Sequence, residues 1–190
     1  MPRSTFAGHP LHPMLVVAPG GLLPFALVMD LMHVATGRQA YADAARFALI
    51  GGAATGLAAG VAGAMDYMTI PPEAREKKTA NVHAALNVAA MAATMLNVAM
   101  RAKGSDAREP LPLALSAMTA IGVGVSGWFG AHLVYEHGLR VQERDPLSYT
   151  PEAKLPGDDA LKAGLEAIED ATPTGGPTTA DADYQRPPLH

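Results

Sequence analysis

Four long apolar runs separated by short polar segments constrain this chain more than anything else in it. The runs are Met14 to Ala35, Arg46 to Ala64, Ala80 to Met100 and Leu111 to Tyr135. Each is close to the roughly 20 residues that an α-helix needs to cross a hydrocarbon layer. Between Phe47 and Ala64 there is no charged residue at all. A helix of a water-soluble bundle must turn a charged face outward, so this run is expected to face lipid. The connecting segments 36–45, 65–79 and 101–110 are short, which makes neighbouring helices antiparallel. The expected fold class is all-α: an integral membrane four-helix up-down bundle over residues 1–145, with a polar tail over 146–190.

Charge divides the chain in the same place. Residues 1–135 carry nine Lys/Arg against seven Asp/Glu, whereas residues 136–190 carry five against eleven. The acidic tail is expected to be mostly disordered and to lie away from the bundle, with one short amphipathic helix at 158–170. The chain has no cysteine, which excludes disulfides, thiolate metal ligands and a cysteine-held iron–sulfur cluster. The apolar run after Arg3 is too long for a cleavable signal and is expected to stay as an anchor. Seven Lys/Arg on the N-terminal side of the bundle against five on the other favour an inner-membrane protein with both termini in the cytoplasm.

An up-down bundle brings the start of the first span, the end of the second, the start of the third and the end of the fourth to one face. Five of the seven histidines fall there: His9, His12, His83, His132 and His137. Asp66, Asn87 and Glu136 join them. Imidazoles gathered with carboxylates at a membrane boundary point to a metal or haem site. His83 and His132, at matched depth on antiparallel neighbours, are suited to axial ligation of haem b. His9 and His12, stiffened by Pro10 and Pro13 into an extended turn, would close the site. Without haem, three of these imidazoles plus a carboxylate suit a non-haem Fe, Cu or Zn ion. Asp66, Asn87, Glu136 and His137 would then support the ligands or handle protons. On a helical wheel His137 projects away from His132.

Other helix faces read more simply. Gly52, Gly56, Gly60 and Ala64 recur at four-residue spacing, and Gly122, Ser126 and Gly130 repeat the theme; small residues at this spacing allow close helix packing in lipid. His83, Asn87, Ala90, Thr94, Asn97 and Arg101 form a polar or small face of the third span, which must point into the bundle. Asp30 and His33, one turn apart, are read as a local pair or an interfacial feature. Trp128 and Tyr135 fit interfacial anchoring.

The motifs Gly8-His9-Pro10-Leu11-His12-Pro13, Asp30-Leu31, Gly63-x-x-Asp66-Tyr67, His83-x-x-x-Asn87 and Ser126-Gly127-Trp128-x-Gly130 together resemble one bacterial family. It is the domain of unknown function 2231, a four-helix transmembrane domain sometimes fused to Rieske-type iron–sulfur domains. The likeness covers residues 5–145 and implies the membrane fold. Through the fusions it also implies electron transfer with a Rieske-type or other redox partner.

The leading functional expectation is a haem- or metal-binding redox module embedded in the bilayer. Two alternatives stay open: an accessory or assembly subunit whose polar cluster is structural, and a small ion or proton transport protein that would have to oligomerise. No nucleophile motif, phosphate loop or basic stripe for nucleic acid is present, and whether the chain is an enzyme is left open.

Overall fold

The computed structural model describes residues 3–7, 9–139, 152–154, 157, 159–160, 163–164 and 167. Its elements in chain order are β1 (Arg3–Phe6), β2 (His9–Pro10), α1 (Leu11–Leu15), α2 (Val17–Thr36), α3 (Gln39–Met68), α4 (Glu76–Ala102), α5 (Pro110–Tyr135) and β3 (Glu152–Lys154). Four helical segments, Leu11–Thr36, Gln39–Met68, Glu76–Ala102 and Pro110–Tyr135, are long and apolar enough to cross a membrane. α2 packs on α3, α3 on α4, α4 on α5 and α5 back on α2, so the four long helices close a ring.

Burial runs opposite to that of a water-soluble protein. Asp30, Thr94, Asn97, Ser116 and Thr119 are fully buried, as are the small residues Ala26 and Ala45. Val17, Phe47, Val61, Val88 and Ile121 are between 65% and 74% exposed. Only lipid makes such an arrangement favourable, because polar groups must find partners inside while apolar ones face hydrocarbon. The chain is an integral membrane four-helix bundle.

The ends of the helices follow local chemistry. Gly37 closes α2 at φ 72°, its N–H donating to His33 O at 2.8 Å. A Cβ there would lie 2.8 Å from the Arg108 guanidinium, which donates to Gly37 O at 3.1 Å. Pro110 opens α5 at its first position, where a missing N–H is harmless. Beyond Tyr135, Gly138 at φ 65° lets the Leu139 N–H return to Leu133 O at 3.0 Å.

The glycines of α3 serve different neighbours. A Cβ on Gly52 would strike Leu23 of α2, and one on Gly56 would strike Met91 of α4. The spacing read as a packing stripe therefore admits two partners, one from each side.

Two expectations about the termini need correction. The His-Pro motif is not a continuous extended turn: His9 and Pro10 are extended, but Leu11–Leu15 is helical. Pro13 sits in the first turn of α1, where no intrahelical N–H is required. The tail, in turn, reaches the bundle mouth. Glu152–Lys154 pairs in parallel with Arg3–Thr5, whose other edge pairs antiparallel with His9–Pro10. Backbone pairing with an exposed edge needs no apolar pattern, so the acidic composition concealed it. Of the short helix expected at 158–170, the described residues 159–160, 163–164 and 167 are helical. The rest of that segment and the expected disorder from 172 onward lie outside the described residues.

Candidate functional site

At the N-terminal-side mouth, α1 carries His12 toward α3 and α4. Its Nδ1 lies 2.8 Å from Ala59 O. A carbonyl only accepts, so Nδ1 carries the proton and Nε2 keeps its lone pair. The ring rests on Gly63, where a Cβ would stand 2.8 Å from it.

His83 on α4 is held the same way from the opposite side. Its Nδ1 donates to Ser126 O at 2.9 Å, with Ser126 Oγ at 3.0 Å. Gly130 supplies the seat: a Cβ there would lie 3.1 Å from the ring. Asn87 Nδ2 donates to Ser126 Oγ at 2.6 Å and to His83 O at 2.9 Å, and stands 3.2 Å from His83 Nε2. An amide has two protons for these three acceptors, and the two shorter contacts use them.

The two imidazoles meet edge to face, with ring centres 6.0 Å apart and planes at 84°. Both therefore share one arrangement: Nδ1 tied to a backbone carbonyl of a neighbouring helix, a glycine under the ring, and Nε2 as the basic nitrogen. This is the tautomer that metal-ligating histidines hold through their second nitrogen.

The other residues singled out in the sequence lie around this pair or apart from it. Asp66 anchors the N-terminal strand, its Oδ1 accepting from Ser4 Oγ at 3.0 Å and Ser4 N at 3.2 Å. His9 is exposed, with Nδ1 2.9 Å from Ala7 O in its own hairpin. His132 turns to a different surface. It stacks on Trp128 with centres 5.3 Å apart and planes at 12°, and it meets His137 edge to face at 5.2 Å. His137 comes this close because α5 has already ended at Tyr135, so wheel geometry no longer applies to it. Its Nε2 is 3.5 Å from Thr79 Oγ1. Glu136 is exposed beside His132; its backbone N–H donates to His132 O at 3.0 Å, and among the described residues no side-chain hydrogen bond joins the two. No ring contact joins His83 to His132 either. Among the described residues no three His, Asp or Glu side chains are grouped to hold a metal ion.

The opposite mouth holds a second polar cluster, whose pairing the sequence reading missed. Arg101 Nη2 donates to Asp30 Oδ2 at 2.6 Å, and Ser116 Oγ donates to the same oxygen at 2.6 Å. Arg101 Nε donates to Asn97 Oδ1 at 2.9 Å, and Asn97 Nδ2 donates to Ser116 Oγ and Pro112 O. Asp30 thus pairs across the bundle and not with His33. His33 instead meets the Arg38 carbonyl at 3.0 Å and Asp106 Oδ2 at 3.4 Å. Depth was the available signal: Asp30 near the end of one span and Arg101 at the end of another lie at the same level.

No curated protein and no solved structure matches this chain. The family model described as "Predicted membrane protein (DUF2231)" matches residues 8–143. That match takes in all four spans and both members of the His12–His83 pair, and it covers well over half of the chain. The chain belongs to the DUF2231 family of predicted membrane proteins.

Proposed function

We propose that this protein is a membrane redox module in which His12 and His83 are paired imidazole ligands of one metal centre, a b-type haem. The observation that carries the proposal is their shared geometry: two basic Nε2 atoms, each fixed by an Nδ1–H bond to a backbone carbonyl, on rings 6.0 Å apart. Each ring would offer its Nε2 to the iron, the donor that b-type haem takes from histidine. Two protein ligands complete a haem iron, whereas a bare Zn, Cu or Fe ion would ask for a third or fourth. When bound, the haem would supply one-electron transfer.

The chain's own residues orient and enclose. Ala59 O and Ser126 O hold the two tautomers, Gly63 and Gly130 let the rings lie against their helices, and Asn87 braces Ser126. Ser4 ties the N-terminal hairpin over this mouth through Asp66. The seven-to-five excess of Lys/Arg counted along the sequence supports a cytoplasmic placement of this face. A Rieske-type or other redox protein is the partner class proposed through the family's fusions.

The test is the visible spectrum of detergent-purified protein before and after dithionite. A Soret band that shifts on reduction, and that disappears in both His12→Ala and His83→Ala but survives in His132→Ala, is the expected result. A colourless, folded protein overturns the haem reading. One observation favours a second reading, a structural lock: each ring is already tied through Nδ1 to a backbone carbonyl and seated on a glycine of a neighbouring helix without a metal. On that reading His83→Asn preserves the fold and no variant changes any spectrum.

A further inference from the structure

Trp128, Ala131, His132, Tyr135 and Glu136 line a shallow groove of about 180 Å³ on the outer side of α5. We propose that this groove binds the head group of a membrane quinone. The proposal rests on the redox reading for its biological purpose, since a quinone is the lipid-soluble partner class for such a centre; binding itself does not require that reading.

Four features point to this ligand. First, the groove is open to the bilayer: Trp128 is 61% exposed and Tyr135 80% exposed on a helix whose outer face is lipid-facing. Second, it lies at the end of a span, the level at which amphipathic rings collect, polar edge to the head groups and apolar body to hydrocarbon. Third, Trp128 and His132 already form a parallel stack at 5.3 Å, a flat surface on which a further flat ring can stack. Fourth, His132 and Glu136 put hydrogen-bonding and proton-accepting groups along the rim, which suits carbonyl and hydroxyl oxygens on a ring. A volume of about 180 Å³ suits one substituted six-membered ring and leaves an isoprenoid tail in the lipid.

The groove is also close to the paired imidazoles. Gly130, which seats the His83 ring from inside the bundle, immediately precedes Ala131 and His132 of the groove. One turn of α5 therefore faces His83 on one side and the groove on the other.

Trp128 is the chain's single tryptophan, so its fluorescence reports the groove directly. The purified full chain is titrated in detergent with a decyl-substituted dimethoxybenzoquinone, with decylbenzene as the control that lacks carbonyls. The expected result is saturable quenching by the quinone and none by the control. His132→Ala should weaken the apparent Kd about tenfold, a loss the size of one ring contact plus one hydrogen bond. Ala131→Phe, on an exposed position, should fill the groove and abolish saturation while the thermal transition stays in place. Quenching that rises linearly without saturation, or that is unchanged in Ala131→Phe, overturns the proposal. So does saturable quenching by decylbenzene, which would mark a site for any alkyl chain. A colourless protein that still quenches saturably keeps this site and removes the haem; a Soret band with linear quenching does the reverse.

Discussion

Asp30 and Arg101 meet at 2.6 Å with their side chains almost wholly buried, one on the first span and the other on the third. Ser116 of the fourth span donates to the same carboxylate oxygen, so three of the four spans converge on one atom. Removing one partner of a buried pair leaves the other charge without compensation, which typically costs about 3–5 kcal/mol. Asp30→Asn and Arg101→Met should each lower stability by about that amount in micelle unfolding. The double variant should lose clearly less than the sum of the two. Additive losses would show that the two groups do not act as a pair.

The glycines under the histidines give a sharper test of the mouth. Gly63→Ala would place a methyl 2.8 Å from the His12 ring, and Gly130→Ala one 3.1 Å from the His83 ring, whereas Gly60 has open space around its Cβ position. Overpacking of this kind costs about 1–3 kcal/mol. Gly63→Ala should displace His12 and bleach any Soret band, with Gly130→Ala milder and Gly60→Ala indistinguishable from the parent. Equal effects at Gly60 and Gly63 would remove the special role of the ring seat.

Acid should loosen the opposite mouth. The backbone N–H of Arg108 holds the Asp106 carboxyl below its ordinary value, and His33 adds to this. An acid lowered on folding stabilises the fold while ionised. Its contribution is therefore complete above about pH 4 and lost as pH falls through the folded-state value. The Asp106 side chain is 35% exposed, so solvent screening should keep the effect on stability below about 1 kcal/mol. The pH profile of unfolding should show a small acid-side decline that Asp106→Asn abolishes. An unchanged decline in that variant would assign it to other carboxylates.

Truncation at 145 deletes β3 and returns the edge of Arg3–Thr5 to solvent. Amide exchange over residues 3–5 should accelerate, while α2 to α5 keep their protection, since Ser4 still holds Asp66. Unchanged exchange at residues 3–5 would show that the parallel pairing is not formed in solution.

The bundle was legible in the sequence because hydropathy and loop length are physical causes of it. The charge-free stretch from Phe47 to Ala64 could be satisfied only by lipid, and the polar face from His83 to Arg101 could be satisfied only inside. The candidate site was legible to the level of which mouth, not which partners. His12 and His83 are held by Ala59 O and Ser126 O, and backbone acceptors leave no trace in side-chain patterns. His132 was grouped with His83 by depth alone; facing around the helix turned it outward beside Trp128. The Asp30–Arg101 pair was hidden by proximity along the chain, since His33 one turn away offered a simpler partner than a residue seventy-one positions on.

The closed ring of helices has a consequence for how the protein is made. Asp30 lies on the first of the four spans, yet Arg101 and Ser116 belong to the last two. A carboxylate entering hydrocarbon alone is unfavourable by about 2.5–3.5 kcal/mol on the insertion scale. Asp30 can therefore meet Arg101 only once the third span has been delivered, and Ser116 only after the fourth.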